Sequence, residues 1–340
     1  MTTIQGCERH VAEHLVGPAV APFELSLLYL TALSGDAIRD HYGILAEGYP
    51  TEKHSGSGRT LLHRAGLSSA SIRRVHASLH RALNVAVEMR LIDFNPATGG
   101  GRRLPEGAPS KKRRLECWQP AGLRWFLEFC DAIDDCRSAY YPLWFLLSHT
   151  GIRRGEAAGL RWEDFDADRG LPHVRRNRVP LKSGTVSETT PKTRGSVRIL
   201  ELDDETVQVL DRPLRRSQAR DRLAAGPKWQ NSGYIFTDRL GQPMLPNVIS
   251  WEFRFTRELA NRSTKQAGDE SDKLPSLSVH GLRHTFATIA LQGGVPVTVV
   301  SKYLGHESIA MTLNVYAHAT RGAQREVADT AAKVIRKGSI

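Results

Sequence analysis

Six side chains in the C-terminal two thirds of this sequence have types and an order that suit one reaction. They are Arg153 in Thr-Gly-Ile-Arg, Lys192 in Pro-Lys-Thr, His280 and Arg283 in His-Gly-Leu-Arg, His306 in Leu-Gly-His and Tyr316 in Leu-Asn-Val-Tyr. Together they form the set needed to cut a phosphodiester without a metal. A phenolate attacking phosphorus builds charge on the non-bridging oxygens, which need fixed donors or cations aimed at them. Arginine suits that task, because it stays charged and grips oxygens in pairs. The phenol must lose a proton from a reference pKa of about 10, and the departing alkoxide must gain one. Lysine suits the second transfer, since neighbouring cations lower its pKa. Histidine can take the phenolic proton or donate to the phosphate. Glu156, three residues after Arg153, is spaced to orient that arginine or to cap its turn.

These side chains need elements to hold them. Thr150-Gly151 breaks an apolar run, Tyr140 to Leu147, so Arg153 opens the next helix, whose N-terminus favours an anion. His280, Arg283 and His284 share one helical turn. His306 follows a helix end, and Tyr316 sits on the helix after it. Lys192 falls in the turn region of a short β-hairpin or three-stranded sheet over 173–201, where Lys182 is a second candidate. Helical patterns fill 203–225, 247–262, 283–292, 296–304 and 308–317, and Leu123 to Phe129 is core.

The first hundred residues read as a separate helical unit. Residues 25–47 carry helical segments with Ile38, Tyr42 and Leu45 on one side, and 48–67, rich in Gly and Ser, read as a loop. A helix then starts at an N-cap in Ser68–Ser71 and buries Ile72, Val75, Leu79, Leu83, Ala86 and Met89. Its other face carries Arg73, Arg74 and Arg81, suited equally to solvent and to DNA phosphates. A linker over 99–114 bears Arg102, Arg103, Lys111, Lys112, Arg113 and Arg114 against Glu106 alone. Such a tether favours a polyanion through counterion release.

Composition agrees. The 340 residues carry a net charge of +11, which points to nucleic acid ahead of an anionic membrane surface. No apolar run is long enough to span a bilayer, and the N-terminus lacks a secretory pattern. Cys7, Cys117, Cys130 and Cys136 have no metal or disulfide spacing, which fits thiols in a reducing cytoplasm. His280 and His284 are four apart, but no Glu follows His280 as zinc hydrolysis would need. No metal or cofactor is expected. Taken singly, His306 reads as a helix-end histidine and Arg153 as an ion pair with Glu156; Arg154, Arg161, Arg175, Arg176 and Arg178 read as DNA-backbone or surface charges.

From about Leu30 to Thr320 the chain resembles tyrosine recombinases of the phage integrase family. Four segments carry the likeness: 150–162 (TGIRRGEAAGLRW), 191–200 (PKTRGSVRIL), 280–287 (HGLRHTFA) and 304–318 (LGHESIAMTLNVYAH). The resemblance implies a mainly α fold with a small β-sheet, an α+β arrangement. It implies a short segment over 1–20 without an arm-binding domain, and a helical, SAM-like core-binding domain over 21–98. A DNA breaking-rejoining catalytic domain over 115–320 and a tail over 321–340, with a subunit-exchange helix, complete it. It makes Tyr316 the nucleophile, forming a 3′-phosphotyrosyl link, and places Arg153 and Arg283 on the scissile phosphate. Lys192 becomes general acid, His280 assists proton transfer, His306 donates to the phosphate and Glu156 supports the pocket. The implied partners are duplex attachment sites, a homotetramer of two dimers on DNA and a directionality factor, with no membrane. The alternatives are a degenerate homologue that binds DNA without cutting, and nicking and religation of the type IB topoisomerase kind.

Overall fold

The computed structural model describes residues 30–55, 58–98, 117–133, 140–181, 185–189, 197–266, 273–313 and 336. Lys182, Lys192, Tyr316, the linker cations Arg102, Arg103, Lys111, Lys112, Arg113 and Arg114, and nearly all of the tail lie outside them. The chain divides into two compact units, Met1–Arg113 and Arg114–Ile340.

In the first unit, helix α1 (Gly35–Glu47) starts at Ser34, whose hydroxyl accepts from the Ala37 amide at 3.1 Å. Helix α2 (Ser69–Glu88) starts at Ser68, as its N-cap sequence predicts. The two helices bury Ile38, Tyr42, Leu45, Ile72, Val75 and Leu83 against one another. Each such apolar side chain contributes about 1.5–3 kcal/mol relative to exposure. Between the helices runs an antiparallel hairpin, β1 (Gly48–Ser55) and β2 (Gly58–Ala65), paired from Gly48↔Ala65 to Ser55↔Gly58. This corrects the expectation of a loop over 48–67. The pairing is carried by backbone hydrogen bonds, and the Gly/Ser-rich sequence offers no apolar alternation to reveal it. Met89 also departs from expectation: the helix ends at Glu88, and Met89 is 65% exposed.

The second unit is built around helix α4 (Tyr141–Thr150), buried along almost all of its length. A helix apolar all round must be enclosed. Around it lie α3 (Pro120–Ala132), α5 (Arg154–Ala157), α6 (Asp204–Ala225), α7 (Pro246–Gln266), α8 (Val279–Gln292) and α9 (Val297–Leu304). Trp144 of α4 and Phe126 of α3 both meet Phe253 of α7 edge-on, with ring centroids 5.3 and 5.5 Å apart.

The described strands of this unit form two small antiparallel sheets rather than one. β3 (Phe165–Asp166), β4 (Leu171–Val174) and β7 (Arg198–Ile199) make a three-stranded sheet in which β4 is central. β5 (Asn177–Pro180) and β6 (Val186–Thr189) make the other. The chain leaves the first sheet after Val174 and returns at Arg198, which pairs across from it. That return carries Arg198 toward the helices that hold the candidate site. No helix among the described residues is long and apolar enough to cross a membrane.

Candidate active site

The site begins at the C-terminus of α4. The Thr150 hydroxyl donates back to the Leu146 carbonyl at 2.6 Å, and Gly151 takes a left-handed conformation with φ 59°. A Cβ on Gly151 would lie 2.7 Å from Leu304 Cδ2, so only glycine reverses the chain and admits α9 here.

Arg153 follows as the N-cap of α5. Its amide donates to Glu156 Oε2 at 3.0 Å and its Nη1 to Glu156 Oε1 at 2.8 Å, so one carboxylate both caps the turn and orients the guanidinium. The other arm, Nη2, donates to the Gly305 carbonyl at 2.9 Å. This alters one expectation. α5 is a single turn, and the Arg153 amide is already taken by Glu156, so attraction for an anion comes from guanidinium charge rather than the helix N-terminus.

Arg283 lies within α8, only 2% exposed. Its Nη1 donates to the Gly151 carbonyl at 2.8 Å and its Nη2 to the Leu304 carbonyl at 2.7 Å. Two backbone segments far apart in sequence thus fix the plane of this fork. Burial, then the nearby Arg153, pulls its pKa down to about 9, opposed by Glu156, and it remains charged at neutral pH.

Sequence reasoning missed Arg198. Its Nη2 and Nη1 donate to the two Glu156 oxygens at 2.9 and 3.2 Å, and its Nε donates to the Tyr303 carbonyl at 2.8 Å. Burial alone would raise the Glu156 pKa. The hydrogen bond and charge of Arg198, then Arg153, win and hold it below the ordinary carboxylate range. The signal lay in the 191–200 segment, where Arg198 stands beside the more conspicuous Lys192; its partner lies 42 positions earlier.

Two histidines complete the cluster. His280 and His284, one turn apart on α8, meet edge-on at 4.7 Å. His280 is exposed as a whole residue. Burial, then His284, Arg283, Arg153 and Arg154, pushes its pKa down to about 4. His306, just beyond α9, holds the Thr312 hydroxyl 2.7 Å from Nδ1, and Thr312 is buried. Burial, then Arg283 and Arg153, pushes His306 down to about 4 as well. Both imidazoles are neutral near pH 7, able to accept a proton on one nitrogen and donate from the other.

The described structure therefore brings Arg153, Glu156, Arg198, His280, Arg283 and His306 into one electrostatic neighbourhood. Arg153 and Arg198 share the Glu156 carboxylate, and Arg283 stands near with no carboxylate bonded to it, a surplus of fixed positive charge suited to a phosphate. Arg73, Arg74 and Arg81 lie exposed on α2 in the other unit. Arg178 and Arg176 depart from the surface reading. Arg178 is buried and donates to the Met244 carbonyl at 2.7 Å, while Arg176 pairs with Asp164, Glu163 and Glu188. Among the described residues, no group of three or more His, Cys, Asp or Glu is gathered as a metal site would require.

The family profile described as the phage integrase family matches residues 122–322. The chain belongs to the phage integrase family. Within it, the chain is 30% identical over 271 residues to the tyrosine recombinase XerC-like protein of Caldanaerobacter subterraneus subsp. tengcongensis, covering 76% of this chain and 64% of that protein. It is 24% identical over 274 residues to the ICEBs1 integrase of Bacillus subtilis, covering 80% of this chain and 67% of that one. The chain thus spans about two thirds of the length of these relatives. The solved structure of the Tn1549 transposon integrase in complex with transposon right end DNA superposes with a TM-score of 0.71 at 22% identity. That match covers 98% of this chain and 94% of the other, and the likeness is one of fold. All six clustered residues of this phage integrase chain fall inside the family-matched span, whereas α2 and its arginines precede it.

Proposed function

We propose that the chain is a site-specific DNA recombinase that cuts and rejoins duplex attachment sites. The observation that carries this reading is the pair of guanidiniums, Arg153 and Arg283, each tied to backbone carbonyls beside two neutral histidines. Such forks hold their positions before a phosphate arrives, so little reorganisation opposes charge development.

In this mechanism Tyr316 Oη attacks the scissile phosphorus. The P–O5′ bond breaks and a 3′-phosphotyrosyl bond forms. His280 accepts the phenolic proton, and Lys192 protonates the departing 5′-oxygen, with Lys182 as the competing acid. His306 Nδ1 lies in hydrogen-bond contact with the Thr312 hydroxyl; in this mechanism the hydroxyl donates to Nδ1, and His306 carries its proton on Nε2 and donates to a phosphate oxygen. Attack by the 5′-hydroxyl of a partner strand releases the tyrosine. The number of phosphodiester bonds is conserved, so no ATP is consumed.

The first unit serves as the core-binding domain, with Arg73, Arg74 and Arg81 on phosphates, and the linker cations cross the backbone between domains. Four protomers, as two dimers, carry out the two exchanges through a four-way junction in the cytoplasm. The tail over 321–340 packs on a neighbouring subunit, and a directionality factor biases the outcome. The Tn1549 integrase of similar fold, solved in complex with transposon right end DNA, supports DNA as the partner.

The test is a nicked suicide duplex carrying the attachment site, in chelator and without ATP. A covalent protein–DNA adduct is expected. Retarded DNA without adduct on any site-containing duplex would favour a binding-only protein. Relaxation of supercoiled DNA with no strand transfer between two site-bearing duplexes would favour nicking and religation.

A further inference from the structure

Arg153 and His280 open onto a cavity of about 390 Å³ whose other polar side chains the mechanism above leaves unused. Arg153, Arg154, Asn177, Ser250, Ser278 and His280 line it. Gly155 shapes its wall: a Cβ there would lie 2.3 Å from Asn177 Oδ1 and 2.6 Å from the Arg178 carbonyl, so glycine lets α5 press against β5.

Arg154 is the unusual member. Its guanidinium is half-buried, and among the described residues it bonds to the Ser250 hydroxyl. Other arginines of this unit have carboxylates: Arg153 and Arg198 share Glu156, and Arg161 and Arg176 reach Glu163 and Glu188. Arg283 has both arms on carbonyls. Arg154 uses one nitrogen on a hydroxyl, and the rest of its fork has no protein partner among the described residues. Burial also lowers its pKa, the mark of a cation removed from water without compensation. Arg178, also lining the cavity, is buried with no ion pair among the described residues, so the wall adds positive charge and no acid.

We propose that Arg154, with Ser250, Asn177 and Ser278, is a second phosphodiester subsite that binds the phosphate neighbouring the scissile one on the same strand. This rests on the reading of Arg153 as a scissile-phosphate ligand. Arg153 and His280 line the same cavity as Arg154, so a strand whose cut phosphate meets Arg153 brings its next phosphate to Arg154. Gripping two successive phosphates fixes the register of the strand as well as its affinity.

The test uses the full chain carrying Tyr316→Phe, for equilibrium binding, with site duplexes bearing a neutral methylphosphonate at the neighbouring position. The methylphosphonate is expected to weaken binding about tenfold, as loss of one charge-assisted contact does. Arg154→Gln should weaken the unmodified duplex similarly, reduce the salt slope by about one, and lose nothing further on the modified duplex. Arg154→Lys should recover part of the loss. Fully additive losses would overturn the proposal. So would inorganic phosphate protecting the protein against thermal unfolding through Arg154 with no coupling to the DNA position, because the site would then take free anions only. Absence of any DNA binding overturns it together with the recombinase reading. Suicide-duplex trapping with Tyr316 intact separates the two. Coupling without an adduct sinks cleavage and keeps the subsite, whereas an adduct with additive losses sinks the subsite and keeps cleavage.

Discussion

The arginines of the two units are held in opposite ways. In the candidate active site, Arg283 is clamped by two backbone carbonyls, Arg153 by a carbonyl and Glu156, and Arg198 by Glu156 and the Tyr303 carbonyl. On α2, Arg73, Arg74 and Arg81 are exposed, and no ion pair holds them among the described residues. Immobilising a guanidinium inside a protein carries a desolvation cost, and it returns value where charge must be met at a defined place in a transition state. A mobile surface guanidinium attracts a polyanion equally well at many positions, contributing affinity and salt dependence rather than rate. The contrast separates guanidiniums fixed in place from guanidiniums left mobile at the surface, and under the proposed function it divides groups for chemistry from groups for holding.

That contrast can be broken most directly at Arg283. Arg283→Lys keeps the charge but cannot span both the Gly151 and Leu304 carbonyls. Adduct formation on a suicide duplex should slow by about 10²–10³-fold, as when a positioned oxyanion donor is lost. A change of only a few fold would erase the distinction between the two sets. Glu156→Gln comes next. It leaves Arg153 and Arg198 without their shared negative charge, and urea unfolding should show a loss of about 3 kcal/mol; an unchanged midpoint would mean that the guanidiniums do not need their carboxylate.

A smaller effect is expected from pH. His280 and His306 have folded-state pKa values near about 4, below the ordinary histidine value. As pH falls, the unfolded chain takes up these protons first. Stability is therefore fully present above about pH 6.5 and is lost progressively toward pH 4. Thermal melts at pH 7.5, 6 and 5 should show a falling Tm that Ala replacement of both histidines flattens. A Tm rising between pH 7.5 and 5 would contradict the neutral histidines. The smallest change belongs to α2. Arg73→Gln or Arg81→Gln should cut DNA affinity a few fold and lower the salt slope by about one. A loss of cleavage as large as that of Arg283→Lys would place these arginines in the chemistry.

Much of this was legible from local signals. Ser68 and the stripe of Ile72, Val75, Leu83 and Ala86 marked α2, because capping and helical period are properties of neighbouring residues. The break at Thr150-Gly151 and the shared turn of His280 and Arg283 were readable for the same reason. What escaped depends on contacts distant in sequence or on backbone pairing. The β1–β2 hairpin shows no apolar alternation in its sequence. Arg198 reaches Glu156 because β7 returns beside β4, and a register of that kind has no local signature. Arg178 looked like surface charge until β5 packed it against the Met244 carbonyl and the Tyr234 ring.

The central claim is that the clustered arginines and histidines serve a phosphate attacked by Tyr316. The most direct measurement traps the adduct on a suicide duplex, digests the protein and locates the modified residue by mass spectrometry. The account predicts a 3′-phosphonucleotide on Tyr316 and on no other residue. A linkage mapped elsewhere, or an adduct persisting in Tyr316→Phe, would contradict it.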